Sequence, residues 1–150
     1  MIDVRVPLIV FFSAFSASIA AEKLQISNAW VRAMPPGQKM TAAYFEVHNP
    51  SASAVSIQGV SSSVGMASLH ETRLEGGRST MQPVNTLTIE AEGVIALEPG
   101  GLHIMLMGMQ STPAEGDTVP VCLQTTEGES CTDAQVRRAA PEAKSKHDDH

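Results

Sequence analysis

Aromatic, basic and cysteine residues are all scarce in this sequence. Aromatic residues make up 4% of the 150 residues, and beyond residue 20 they are Trp30, Tyr44 and Phe45 alone. The core must therefore be built mainly from aliphatic side chains. The 10 Lys and Arg are outnumbered by 16 Asp and Glu, which gives a formal net charge of -6. With the basic residues scattered and no basic patch, we expect no nucleic-acid partner.

The first twenty residues have the pattern of a secretory signal peptide. Arg5 is the only basic residue there, Val6–Phe15 is apolar, and Ser18-Ile19-Ala20 supplies small residues at the end. We assign residues 1–20 to the signal, with cleavage after Ala20. The alternative is an uncleaved membrane anchor, but the apolar run is shorter than the roughly 20 residues that a spanning helix needs. We therefore expect a periplasmic protein with no stable membrane insertion after cleavage.

Residues 21–140 form one predicted all-β domain. Glycine and proline separate short segments with strand character, and neither a long helix pattern nor an internal repeat is present. Trp30 and Val31 are expected core residues. Short strands at this spacing predict a sandwich or barrel. The predicted strands are Leu24–Arg32, Thr41–His48, Ala54–Val60, Ala67–Leu74, Thr86–Glu90, Val94–Leu97, Leu102–Met107, Thr118–Thr125 and Cys131–Arg137.

Two short features lie towards the C-terminus. Cys122 and Cys131 are the only cysteines and flank the turn-like Glu127-Gly128, so in an oxidising compartment a disulfide is expected, with two separate thiols as the alternative. Residues 141–150 are a polar, charged tail that we expect to be disordered. Its His147 and His150 could bind Cu(II) or Zn(II), or the tail could serve only solubility.

Four residues carry the most chemical information in the chain. His70, Met81, His103 and Met105 follow the spacing H-x10-M-x21-H-x-M. Two imidazoles and two thioethers suit Cu(I), because thioether sulfur is a soft ligand. An exported chain also gains by avoiding thiols, since thioethers neither form disulfides nor need to lose a proton before they bind metal.

Side-chain alternation places two of these ligands together. On a strand over Leu102–Met107, His103 and Met105 share one face, roughly 7 Å apart at Cα, while Ile104 faces the core. The preceding Pro99-Gly100-Gly101 loop predicts that this pair lies at the rim of a sheet. A hairpin through Gly76-Gly77 would bring His70 near Met81. Whether all four ligands converge stays open at this point.

The remaining methionines admit two interpretations. Met107 and Met109 fall on the ligand face by parity, yet methionine more often fills gaps in a core, and we favour packing for both. Met34 and Met40 flank a proline-rich loop. Met66 has no role that the sequence suggests.

The chain resembles the PCu(A)C family of periplasmic copper chaperones. That family is marked by H-x10-M-x21-H-x-M, and the residues around the motif are similar as well, notably 29–37, 41–44, 70–72 and 99–108. The resemblance implies a cupredoxin-like Greek-key β-barrel that binds one Cu(I) at an exposed site. It also implies that copper is delivered to the copper centre of cytochrome c oxidase, through its subunit or another chaperone.

Other classes of protein are less well supported by these residues. A general periplasmic copper buffer would need the same ligands without an acceptor. An electron-transfer cupredoxin uses two His, a Cys and a weak axial Met, and no cysteine falls near the motif. We expect no enzyme, because histidines are few and no G-x-S-x-G sequence is present.

Overall fold

The computed structural model describes residues 22–140, and this part of the chain is all-β. The signal predicted over 1–20 and the disordered polar tail predicted over 141–150, with the alternative roles of its His147 and His150, lie outside the described residues. Within 22–140, no helix is long and apolar enough to cross a membrane. The ten strands are β1 Gln25–Arg32, β2 Met40–His48, β3 Val55–Ser61, β4 Met66–Glu75, β5 Arg78–Pro83, β6 Leu87–Ile89, β7 Val94–Leu97, β8 Leu102–Met107, β9 Thr118–Thr125 and β10 Gly128–Arg137.

The strands form one sheet in the order β5-β4-β8-β2-β1-β10-β9-β3-β6, and β7 pairs with β2. The β1–β10 pairing is parallel, and the other pairings are antiparallel. Strands β3 and β4 also contact each other, although they are far apart in this order. The sheet therefore curls round on itself, and the predicted cupredoxin-like β architecture is confirmed.

One face of the curled sheet is aliphatic and encloses the core. As the composition required, Phe45 is the only aromatic residue in this cluster. Fully burying one Val, Leu or Ile side chain stabilises the folded state by roughly 1.5–3 kcal/mol. The fully buried members include Val31, Val47, Ile89, Ile104, Leu106, Val119, Val121 and Leu123.

The hairpin predicted around Gly76-Gly77 is present. Its second strand, β5, is not among the strands predicted from the sequence. Both glycines have positive φ, 58° and 78°, as a two-residue hairpin turn of the primed type requires. The turn joins β4 to β5, with Glu75 paired to Arg78. Strand β5 lies at the edge of the sheet. Pro83, which has no backbone N–H to donate, is tolerated at the end of such an edge strand.

Strand β8 is an inner strand, so the expectation that His103 and Met105 lie at the rim of a sheet is wrong. It pairs with β4 on one side and β2 on the other. Strands β7 and β8 both pair with β2, along its two halves, and the Pro99-Gly100-Gly101 loop interrupts what would otherwise be one strand. The loop closes on itself, because Gly101 N donates to the Glu98 carbonyl oxygen at 3.0 Å.

The expected disulfide joins Cys122 on β9 to Cys131 on β10. The two residues are paired directly across the strands, with their Cα atoms 4.0 Å apart. The disulfide therefore links neighbouring strands of one hairpin, on the part of the sheet away from β4, β5 and β8.

Candidate metal centre

His103 is the most enclosed of the four motif residues. It is the second residue of β8, and 4% of its surface is exposed. Its Nδ1 lies 3.0 Å from the carbonyl oxygen of Gly101. Because a carbonyl oxygen only accepts, Nδ1 carries the proton and donates it. The lone pair of the neutral imidazole is therefore on Nε2, which is left to bind a metal.

His70 lies directly across the β4–β8 pairing from His103. The two rings are stacked, with centroids 6.0 Å apart and an interplanar angle of 21°. His70 Nδ1 is 3.2 Å from Ser68 Oγ, a hydroxyl on the same face of β4. When Nδ1 donates to this hydroxyl, Nε2 of His70 is also free. The pairing thus places two imidazoles side by side, each held through Nδ1.

Both methionines of the motif lie on the same face of the sheet as the histidines. Met105 follows His103 by two residues on β8, so alternation directs both side chains to one side. Met81 is paired with Thr72, which is two residues beyond His70 on β4 and shares its face. Met81 is 58% exposed and Met105 is half-buried, so both thioethers are accessible.

Three of the four residues line one open depression of about 480 Å³, and His70 is not part of that lining. Met81 lies two strands from β8, about 10 Å away at the usual strand spacing. Met81 nevertheless lines the same depression as His103 and Thr72. The structure therefore brings Met81, His103 and Met105 to one cavity and stacks His70 on His103.

The chemistry of this depression favours a soft ion of low charge. Arg32 is the only charged side chain in its lining, and no carboxylate is present there. Hard cations such as Mg²⁺ and Ca²⁺ take oxygen ligands, whereas thioether and imidazole select softer metals. The lining consists of Arg32, Met34, Gln38, Met40, Thr41, Ala42, Tyr44, Thr72, Ser79, Met81, Gly100, His103 and Met105.

An aromatic pair adjoins the histidines. Trp30 is paired with Tyr44, and their ring centroids are 4.7 Å apart. Tyr44 lies 6.4 Å from the His103 ring. A β-bulge with Asn28 at φ 53° shifts the register of β1 and sets Trp30 opposite Tyr44. Trp30 is buried as predicted, but it packs on the side of the site, whereas Val31 enters the core.

Tyr44 and Ser68 were missed by the sequence reading. Alternation along the predicted strands could have placed them on this face, but only the strand pairing shows which ring each one approaches. Met109 is 1% exposed and belongs to the core, as the packing interpretation expected. Met107 is half-buried and ends β8 on the ligand face.

A second group of metal-ligating atoms, among residues 22–140, joins Cys122, Glu129 and Cys131. Both sulfurs are consumed by the disulfide and offer no thiolate. The group is therefore not a candidate metal site in this state of the protein.

The chain matches the model of a known protein family. The model described as "Putative lipoprotein LpqE-like" matches residues 24–136. A curated relative from Leifsonia xyli subsp. xyli, described as "Putative lipoprotein Lxx21020", is 37% identical over 118 residues. The alignment covers 77% of this chain and 70% of the relative.

Several solved structures have a fold similar to that of this chain. The solution structure of CuI-DR1885 from Deinococcus radiodurans aligns with a TM-score of 0.62 and 32% identity, covering 83% of this chain and 85% of that one. The copper-bound PCuAC domain from PmoF2 aligns with a TM-score of 0.64, covering 81% and 97%. At 22% identity, the second likeness concerns the fold alone.

Proposed function

We propose that this chain, which belongs to the LpqE-like family, is an exported copper metallochaperone. It binds one Cu(I) through His70, Met81, His103 and Met105, and passes the ion to an acceptor protein without catalysing a reaction. In this assignment the two Nε2 atoms and the two thioether sulfurs are the ligands. Met81, the most exposed of the four, closes the set by turning over Thr72.

The observation that carries this proposal is the pairing of His70 with His103. The pairing supplies two imidazoles whose Nδ1 atoms each have a hydrogen-bond partner, beside a depression whose lining includes Met81 and Met105 and no carboxylate. Hydrogen bonds of this kind at Nδ1 set the tautomer and orientation of metal-binding histidines. A soft, monovalent ion is the best match to four neutral ligands beside the Arg32 cation.

The relatives support two parts of this proposal, namely that the ion is copper and that the protein is exported. A protein that is 32% identical has been solved in a form named CuI-DR1885, and the curated relative is described as a lipoprotein. The Cys122–Cys131 disulfide fits an oxidising compartment such as the periplasm. We further propose that the acceptor is the copper centre of a cytochrome c oxidase subunit or another copper chaperone, as the PCu(A)C resemblance implies.

Two alternatives share parts of this chemistry. A copper buffer would bind the ion equally well but would not transfer it to a specific acceptor. An electron-transfer cupredoxin needs a cysteine thiolate beside two histidines. The only two cysteines of the chain are disulfide-bonded to each other on β9 and β10, so this alternative is disfavoured.

Anaerobic Cu(I) competition titration tests the ligand set. We expect one tightly bound equivalent in the parent protein, and loss of that tight binding in His103→Ala and Met81→Ala. His48→Ala is the matched control for histidine, because its Nδ1 lies 3.2 Å from Gln25 Oε1, away from the site. Leu74→Ala is the control on the β4–β5 hairpin, because Leu74 is 81% exposed and lacks sulfur. Unchanged affinity in both site variants would overturn the assignment.

Transfer separates a chaperone from a buffer. The copper-loaded protein is mixed with the soluble copper-binding domain of an oxidase subunit, and copper is measured in each protein after separation. We expect the rate of copper transfer to the acceptor to exceed the rate at which the loaded protein releases Cu(I) to a small-molecule chelator. Equal rates would favour a buffer and would leave the ligand assignment standing.

A further inference from the structure

Three methionines outside the H-x10-M-x21-H-x-M motif form a row across neighbouring strands. Met66 on β4 is paired directly with Met107 on β8. Met107 is in turn paired directly with Met40 on β2. Residues directly opposite each other in antiparallel strands point to the same face, with Cβ atoms about 4.5–5.5 Å apart. The three thioethers therefore project from one line at one end of the sheet.

Core packing does not explain this row. Met40 is 50% exposed, Met66 is 68% exposed, and Met107 is half-buried. A side chain that stays in water gains little from burial, which is the usual reason for methionine in a fold. The buried Met109 shows the contrast, because it is 1% exposed and belongs to the core.

The row is separate from the two proposed histidine ligands, although Met40 also lines the depression that holds Met81, His103 and Met105. His70 and His103 lie four residues from Met66 and Met107 along their strands. At about 3.3 Å per residue, the histidine pair and the methionine row are about 13 Å apart, too far to share one ion. Met105 lies between them, paired with Ser68 on one side and Ala42 on the other. Met105 is nearer to the row, because it is two residues from Met107 on the same face of β8.

We propose that Met40, Met66 and Met107 form a second, all-thioether site for a soft monovalent ion, Cu(I) or Ag(I). The side chains of Met40 and Met66 flank Met107 from both sides, and the three rotatable bonds of methionine let their sulfurs turn towards it. Three neutral sulfurs select a soft ion and give hard divalent cations no oxygen ligand. Without an imidazole, this site binds more weakly than the histidine-containing one.

Titration of the full chain with Ag(I), followed by the NMR signals of [¹³C-methyl]methionine, tests this site. Ag(I) is a soft ion that does not change oxidation state during the experiment. We expect the first equivalent to shift the methyl signals of Met81 and Met105, and the second equivalent to shift those of Met40, Met66 and Met107. The methyl of Met109 is the internal control and should not move, because it lies in the core.

The triple variant Met40→Leu/Met66→Leu/Met107→Leu keeps the apolar bulk and removes only the sulfurs. We expect it to lose the second equivalent and keep the first. His70→Ala/His103→Ala should lose the first and keep the second, so the two sites fail independently. The inference is overturned if the parent saturates at one equivalent, or if the triple variant still binds two. It is also overturned if the three methyl signals move with the first equivalent.

Discussion

The two faces of β8 differ in what they contribute, although they share one backbone. Ile104 and Leu106 are fully buried and pack into the aliphatic core. His103, Met105 and Met107 face the other way, towards the depression and the end of the sheet. Because alternate residues of a strand point to opposite faces, one strand can stabilise the fold and present ligands at the same time. Changes on one face should therefore affect folding, and changes on the other should affect metal binding.

The largest loss of stability is expected from a substitution on the core face of β8. Ile104→Ala leaves a cavity in a position with no exposed surface, and should lower the free energy of unfolding by about 2–5 kcal/mol. Urea denaturation measures this change. The protein that remains folded should bind Cu(I) like the parent. Leu74→Ala, at an 81% exposed position, is the control and should change stability by about 0.5 kcal/mol or less. A folded Ile104→Ala protein that no longer binds copper would show that the core face of β8 also controls metal binding.

A smaller loss of stability is expected from a feature far from β8. Cys122→Ala/Cys131→Ala removes a disulfide that closes a sequence separation of 9 residues, and should cost about 2 kcal/mol. Thermal unfolding of the oxidised parent and the double variant measures the difference. Copper affinity should stay unchanged, because neither sulfur belongs to the proposed ligand set. A parallel fall in affinity would show that the β9–β10 hairpin takes part in binding.

The smallest effect on stability is expected beside the ligands, where only the metal affinity should change. Ser68→Ala removes the hydroxyl 3.2 Å from His70 Nδ1. Loss of such a partner lowers metal affinity about 10- to 100-fold, because the imidazole is less well oriented. The Cu(I) competition titration measures the affinity, and Ser56→Ala is the matched control, since that hydroxyl contacts Thr88 on β6. Equal affinities in the two variants would mean that Ser68 does not position His70.

Much of the strand pattern could be predicted from local sequence. Three predicted features depend on residues that are close in the chain. They are the breaks between strands at glycine and proline, the side-chain alternation over 102–107 and the hairpin at Gly76-Gly77. The disulfide partners could be paired because only two cysteines exist. The placement of His103 and Met105 at a sheet rim was wrong, because a Pro-Gly-Gly loop before a strand does not reveal which strands flank it. Strand β5 was missed as a strand since its residues, Arg78–Pro83, are mostly exposed and polar.

The sequence alone determined which side chains of each strand share a face and where the soft ligands lie along the chain, because a strand alternates with a period of two. Only the tertiary structure decided that His70 faces His103, and that Met66, Met107 and Met40 stand in one row. These contacts join strands that are far apart in sequence. Their register depends on how Ile104, Leu106 and the other buried residues pack against neighbouring strands, because a slip of one residue would turn the core side chains outward.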